Sequence, residues 1–97
     1  MTAKSRLQAT LTANLAPVSL EVIDESHLHA GHGGWRPEGE THMRVKIVSA
    51  AFAGKSRIDR HRLVNALANP ELQAGLHALA IEARTPDEAA LDGRAAS

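Results

Sequence analysis

The sequence predicts one α+β domain in which helices cover one face of a three-stranded mixed sheet. Segments in which apolar and polar residues alternate indicate half-exposed strands, and segments with apolar residues every three or four positions indicate helices. Their order along the 97 residues is α-β-β-α-α-β-α. A chain of this length has room for a single modest core. We assign residues 1–90 to the domain and residues 91–97 to a flexible C-terminal tail.

The first half of the chain supplies one helix and two strands. A leucine recurs every four residues within residues 4–16, and Pro17 ends this helix because proline disfavours helical backbone in the residue before it. Apolar and polar residues then alternate over residues 18–24 and again over residues 42–49. Two successive strands joined by one loop most simply form an antiparallel pair. In the second strand, three residues are expected to face away from the core: His42, Arg44 and Lys46.

The second half begins with a helix over residues 58–68, for which Ser56 is a candidate N-cap. It has one apolar face, and His61 lies beyond the flank of that face. Pro70 is expected to end this helix, because a proline inside a helix removes a backbone donor. Residues 71–74 then form a separate short helix that Gly75 stops.

A third strand over residues 76–84 and a helix that begins at Thr85 complete the predicted order. The helix between the second and third strands can serve as a crossover, which makes these two strands parallel. Parallel strands begin at the same edge of a sheet, and the loop over residues 25–40 ends at that edge too. We therefore expect His42 and His77 near this loop, with His77 at the edge of the core.

The loop over residues 25–40 contains three histidines. Neutral imidazole is the commonest metal ligand in proteins, so this cluster suggests metal ligation. Their spacing matches no complete four-ligand zinc site, and the chain has no cysteine of its own. From the residues alone, a metal site and a solvated polar loop both stay open. The three loop histidines are His27, His29 and His32.

The charge pattern gives a weaker alternative. The chain has 11 basic and 11 acidic residues, and the zero net charge argues against a broad phosphate-binding surface but not against a local basic patch. Residues 56–75 are compatible with a DNA-binding helix-turn-helix. In that interpretation the following residues contact phosphates: Arg57, Arg60, His61 and Arg62.

Other classes of function find little support in the chain. No Ser-His-Asp or Cys-His arrangement can be argued, so we do not expect an enzyme. No apolar segment approaches the length of a membrane span, and the N-terminus has no apolar signal core. We therefore expect a cytoplasmic protein without a membrane partner.

Five ordered segments of the chain resemble the BolA family. Together they extend over almost the whole predicted domain, from about residue 7 to residue 88, which makes the match far more specific than a single motif. The segments are Leu-Glu-Val-Ile-Asp-Glu-Ser at 20–26, Glu-Thr-His-Met-Arg-Val at 40–45, Val-Ser with Phe-Ala-Gly at 48–54, Arg-His-Arg-Leu-Val at 60–64 and His-Ala-Leu-Ala-Ile at 77–81.

This resemblance implies a fold like that of class II KH domains, without their Gly-x-x-Gly loop. It also implies a non-enzymatic protein that pairs with a monothiol glutaredoxin in iron–sulfur cluster trafficking or iron and redox sensing. Such a pair shares a [2Fe-2S] cluster, which the glutaredoxin cysteine, a glutathione thiol and ligands of the BolA-like protein hold together. The isolated apo protein then carries no cofactor.

The resemblance also implies which residues of this chain hold the cluster. His77 opens the His-Ala-Leu-Ala-Ile segment and matches the C-terminal ligand of the family. The other ligand comes from the loop between the first two strands, where some members use cysteine and others histidine. By position we choose His29, with His27 and His32 as alternates. The family is also described as DNA-binding transcriptional regulators. Whether this protein is a monomer or a weak homodimer stays open.

Overall fold

The computed structural model describes residues 2–25 and 42–96 and confirms the α+β class. A short 3-10 helix, Ala50–Phe52, lies between the second strand and the helix that follows it. The regular elements are α1 (Ala3–Leu15), β1 (Ser19–Asp24), β2 (His42–Val48), α2 (Arg57–Ala74), β3 (Ala78–Arg84) and α3 (Pro86–Ala96).

The sheet has the mixed topology that the sequence predicts. Its strand order is β1-β2-β3, with β1 antiparallel to β2 and β2 parallel to β3. Asp24 at the end of β1 lies opposite Met43, and His42 lies opposite Ala78. The end of β1 and the starts of β2 and β3 therefore meet at one edge of the sheet.

One hydrophobic core joins α1 and α2 to the same face of this sheet. The alternating residues of β1 and β2 and the leucines of α1 are buried in a single cluster, as their spacing predicts. Phe52 from the 3-10 helix, which lies between β2 and α2 in the chain, is fully buried and belongs to this cluster. The buried residues are Ala3, Leu7, Leu11, Leu15, Val22, Met43, Val45, Ile47, Phe52, Val64, Ala68 and Leu76.

The helix α2 is one continuous helix from Arg57 to Ala74, with Pro70 inside it. The prediction of a separate short helix at residues 71–74, and with it a helix-turn-helix at residues 56–75, is therefore wrong. Pro70 lies on the exposed side, where its missing N–H costs least.

Tertiary contacts hold the helical turn that follows Pro70. Arg6 of α1 donates hydrogen bonds at 2.9–3.1 Å to both carboxylate oxygens of Glu71, which is nearly buried. Ala68, on the other side of Pro70, is fully buried. The helix ends only at Gly75, whose φ of 128° is the conformation that glycine adopts at little cost.

The last helix follows Thr85, as the sequence predicts, and begins with a capping box. The Glu88 N–H donates to Thr85 Oγ1 at 3.3 Å, and the Thr85 N–H donates to Glu88 Oε1 at 2.8 Å. α3 continues to Ala96, so residues 91–96 of the predicted C-terminal tail are helical, and the flexibility of that tail stays a prediction. Among the helices of the described ranges, none is long and apolar enough to cross a membrane.

Replacement of Pro70 tests the continuity of α2. In a helix interior, proline is less favourable than alanine, so Pro70→Ala should raise the free energy of unfolding by about 1–3 kcal/mol. Asn69→Ala, at the exposed neighbouring position, should change it by less than about 0.7 kcal/mol. Urea denaturation followed by circular dichroism gives both values. If Pro70 instead began a separate helix, its replacement would bring no gain.

Acid titration tests the start of α3. Arg60 hydrogen bonds, together with the Thr85 N–H, lower the pKa of Glu88 from the ordinary 4.5 to about 2. Ionised Glu88 therefore favours the folded state, fully above about pH 4.5, and this contribution is lost as the pH falls towards 2. Glu88→Gln should flatten the decline of the unfolding free energy in that window, whereas Glu21→Gln on the exposed side of β1 should not. An equally steep decline in Glu88→Gln would contradict this assignment.

Candidate metal site

Two histidines meet where β2 and β3 begin. The ring centroids of His42 and His77 are 5.3 Å apart, and the planes are tilted by 58°. The parallel register causes this contact, because His42 lies opposite Ala78, the residue that follows His77. The predicted convergence of these two histidines at one edge is confirmed.

The burial of the two histidines differs from the expectation. His42 was expected to face outward but is only 7% exposed, with the ring of His77 beside it. His77 was expected at the edge of the core but is exposed. β3 begins only at Ala78, so the alternation of inward and outward side chains along the strand does not extend to His77. The residue before it, Leu76, is buried in the core.

The two ends of the β1–β2 loop are joined at the same edge. The N–H of Glu25, the first residue after β1, donates to the carbonyl oxygen of His42 at 2.8 Å. Arg44 also binds Glu25, because its Nε donates to Glu25 Oε2 at 3.0 Å, and this bond is the main reason that the pKa of Arg44 is raised. We call this region, defined by Glu25, His42 and His77, the histidine edge.

The loop histidines His27, His29 and His32 lie outside the described residues. An extended chain spans at most about 3.6 Å per residue, so His29 lies within about 14 Å of Glu25 along the chain. His27 is nearer to Glu25 in sequence and His32 is farther, and chain length allows each of them to reach the histidine edge. The choice among the three therefore stays a prediction.

The histidine edge offers one exposed imidazole and a second imidazole beneath it. Within residues 2–25 and 42–96, no group of three or more histidine, cysteine, aspartate or glutamate side chains is placed to hold a metal ion. The chain has no cysteine. A metal centre at this edge would therefore need further donors from the loop or from another molecule.

Arg60, a candidate phosphate contact, is instead an internal cross-link. Its guanidinium, only 13% exposed, forms two hydrogen bonds with Glu88 at 2.6 and 3.1 Å. It also donates to the carbonyl oxygens of Ala83 and Lys55 at 3.2 and 3.0 Å. These bonds connect α2, β3 and α3 and leave this side chain little capacity for a phosphate. The sequence Thr85-x-x-Glu88 indicates a capping box, but it does not indicate that Glu88 also binds Arg60, which lies 28 residues earlier in the chain.

The other candidate phosphate contacts lie on the surface of α2. Arg57 and Arg62 are exposed, and His61 is partly buried. Arg62 lies 3.8 Å from Asp59, one helical turn earlier.

Comparison with known proteins agrees with this architecture. A family model described as BolA-like protein matches residues 11–88. An uncharacterized protein in the cobS 5' region of Sinorhizobium sp is 53% identical over 89 residues, which is 91% of this chain and 96% of that protein. BOLA1, a chloroplastic protein of Arabidopsis thaliana, is 49% identical over 87% of this chain, which spans about half (54%) of its length.

A solved structure has the same fold. The BolA domain of SufE1 from Arabidopsis thaliana superposes with a TM-score of 0.82 at 49% sequence identity and covers 91% of this chain and 96% of that domain. The family model, the relatives and this structure agree over most of the described residues. The chain belongs to the BolA family.

Proposed function

We propose that this protein is a non-enzymatic partner of a monothiol glutaredoxin and co-ligates a [2Fe-2S] cluster through His77 and His29. Its role would be iron–sulfur cluster trafficking or iron and redox sensing. The observation that carries this proposal is the exposed imidazole of His77 beside the joined ends of the histidine-bearing loop. Membership of the BolA family supports it.

The donor chemistry of the chain fits half of such a centre. A [2Fe-2S] cluster is commonly held by four cysteine thiolates, and two histidines replace two of them in some proteins. This chain offers imidazoles but no cysteine, so the thiolates come from the glutaredoxin cysteine and from glutathione. Histidine ligation raises the reduction potential of the cluster, which is the chemistry that this chain would contribute. His27 and His32 stay alternates to His29.

The two histidines of the edge have different tasks in this proposal. His77 is exposed, so a partner protein can bring its cluster ligands to this ring without unfolding the sheet. His42 is buried next to it and belongs to the packing of the edge. The site is complete only when glutaredoxin binds, and the isolated protein holds no cluster.

DNA binding remains an untested prediction and is the weaker alternative. The structure has one continuous helix α2 in place of the predicted helix-turn-helix, and Arg60 is bound to Glu88. The remaining candidate phosphate contacts are Arg57, His61 and Arg62. A phosphate-based interface weakens steeply as the salt concentration rises, so a salt titration with labelled duplex DNA distinguishes it from glutaredoxin binding.

Cluster reconstitution tests the proposed ligands. The protein is mixed with a monothiol glutaredoxin, glutathione, iron and sulfide, and visible absorption and circular dichroism are recorded. His77→Ala should remove the spectrum that is specific to the mixed complex. We expect the same result from His29→Ala. If His29→Ala keeps the spectrum, His27→Ala or His32→Ala should remove it.

The matched control is His61→Ala, which removes a partly buried imidazole from α2 outside the histidine edge. It should leave the spectrum of the mixed complex unchanged. An unchanged spectrum in His77→Ala, with the protein still folded, would show that the assignment of this ligand is wrong.

A further inference from the structure

An open groove of about 670 Å³ lies beside β3, away from the histidine edge. One wall is the strand itself, over residues 81–84, and the other wall is the start of α2 together with Lys55, two residues before the helix. The residues of the second wall that matter here are Lys55, Arg57 and His61. We call this feature the β3 groove.

On its groove side, β3 has no neighbouring strand in the described sheet. In the described sheet β3 is an outer strand, with β2 as its neighbour on one side. The Ser49 N–H donates to the carbonyl oxygen of Arg84 at 2.9 Å, so Arg84 directs its backbone groups towards β2. Because backbone groups alternate along a strand, Ile81 and Ala83 direct theirs into the groove. The hydrogen bond from Arg60 to the Ala83 carbonyl at 3.2 Å agrees with this direction.

The two carboxylates that line the groove already form ion pairs with arginines. Glu88 is bound by Arg60, and Glu82 lies 3.3 and 3.4 Å from Arg44 and Arg84. Burial alone would raise the pKa of Glu82, but the hydrogen bonds from Arg84 and Arg44 outweigh it and lower this pKa overall. Both carboxylates therefore stay ionised and paired at neutral pH.

Two cations of the groove have no such partner. Across the ranges that the structure describes, Lys55 and Arg57 form no ion pair with a carboxylate. The lining includes four basic residues, which are Lys55, Arg57, Arg60 and Arg84, against two acidic ones, Glu82 and Glu88. The groove is thus positive in a chain whose net charge is zero, and an anionic group would be attracted to it.

We propose that the β3 groove binds an extended acidic segment of a partner protein, which adds as a strand to β3 and places a carboxylate on Lys55 and Arg57. Strand addition uses the backbone groups of Ile81 and the N–H of Ala83, since the Ala83 carbonyl already accepts from Arg60 at 3.2 Å. These groups need donors and acceptors in peptide geometry. A single-stranded nucleic acid has no such backbone, and its continuous row of phosphates would face Glu82 and Glu88. A peptide, by contrast, can place its acidic side chains only where the cations are.

This surface is separate from the histidine edge. Ile81 follows His77 by four positions, which is about 13 Å along a strand at the usual rise per residue. A protein bound at the groove would therefore leave His77 accessible. The proposal does not depend on cluster binding, and it predicts that the protein can contact two partners at once.

A peptide titration tests the groove. The probe is a short fluorescein-labelled peptide of alternating valine and aspartate, and the same peptide unlabelled is titrated into ¹⁵N-labelled protein. We expect the largest amide shifts at Ile81 and Ala83. Arg57→Glu should weaken binding, measured by fluorescence anisotropy, about ten-fold because it places a like charge against the peptide. Arg62→Glu, an exposed arginine of the same helix outside the groove, is the matched control and should not change it.

Lys55→Glu is a second variant and should weaken binding like Arg57→Glu, and the amide spectrum reports whether each variant is folded. A peptide in which lysine replaces aspartate should bind at least about ten-fold more weakly. Absence of shifts at Ile81 and Ala83, or full binding by folded Arg57→Glu and Lys55→Glu, would overturn the proposal. Binding of labelled oligothymidine, with the same dependence on Arg57 and no binding of the peptide, would also overturn it and assign the groove to nucleic acid.

Discussion

The parallel pairing of β2 and β3 is the constraint on which the candidate site depends. It sets His42 opposite Ala78, and so brings the ring of His77 to within 5.3 Å of His42. The antiparallel pairing of β1 with β2 brings Glu25 to the same edge. Without the crossover through α2, which makes the pairing parallel, the loop histidines and His77 would leave the sheet at opposite edges.

Two arginine–carboxylate pairs fix this crossover helix near its two ends. Arg60 joins the start of α2 to Glu88 of α3, and Arg6 of α1 joins Glu71 near the end of α2. The charges of both arginines are therefore compensated by carboxylates of the same chain. Fewer basic side chains than the sequence suggests are therefore available to bind an anion. Two of those that are available, Lys55 and Arg57, lie in the β3 groove.

Local patterns predicted most of the fold, whereas distant contacts explain the differences. Alternating residues located the strands, and the crossover argument placed His77 and His42 at one edge. The continuity of α2 past Pro70 could not be predicted, because it depends on an ion pair between residues 65 positions apart. The burial of His42 was not predictable from the alternation along β2 either, and the ring beside it comes from His77, 35 positions later in the chain. Among the loop histidines, neither the sequence nor the chain length selects one ligand.

Pulsed electron paramagnetic resonance tests the central claim, that His77 of this chain holds a cluster together with glutaredoxin. The chain is labelled with ¹⁵N only in its histidines, combined with unlabelled glutaredoxin and glutathione, reconstituted and reduced. We expect strong ¹⁵N hyperfine couplings from this chain, and we expect His77→Ala to lose at least one of them while His61→Ala retains them all. A reduced mixed complex without any ¹⁵N coupling from the labelled histidines would contradict the account.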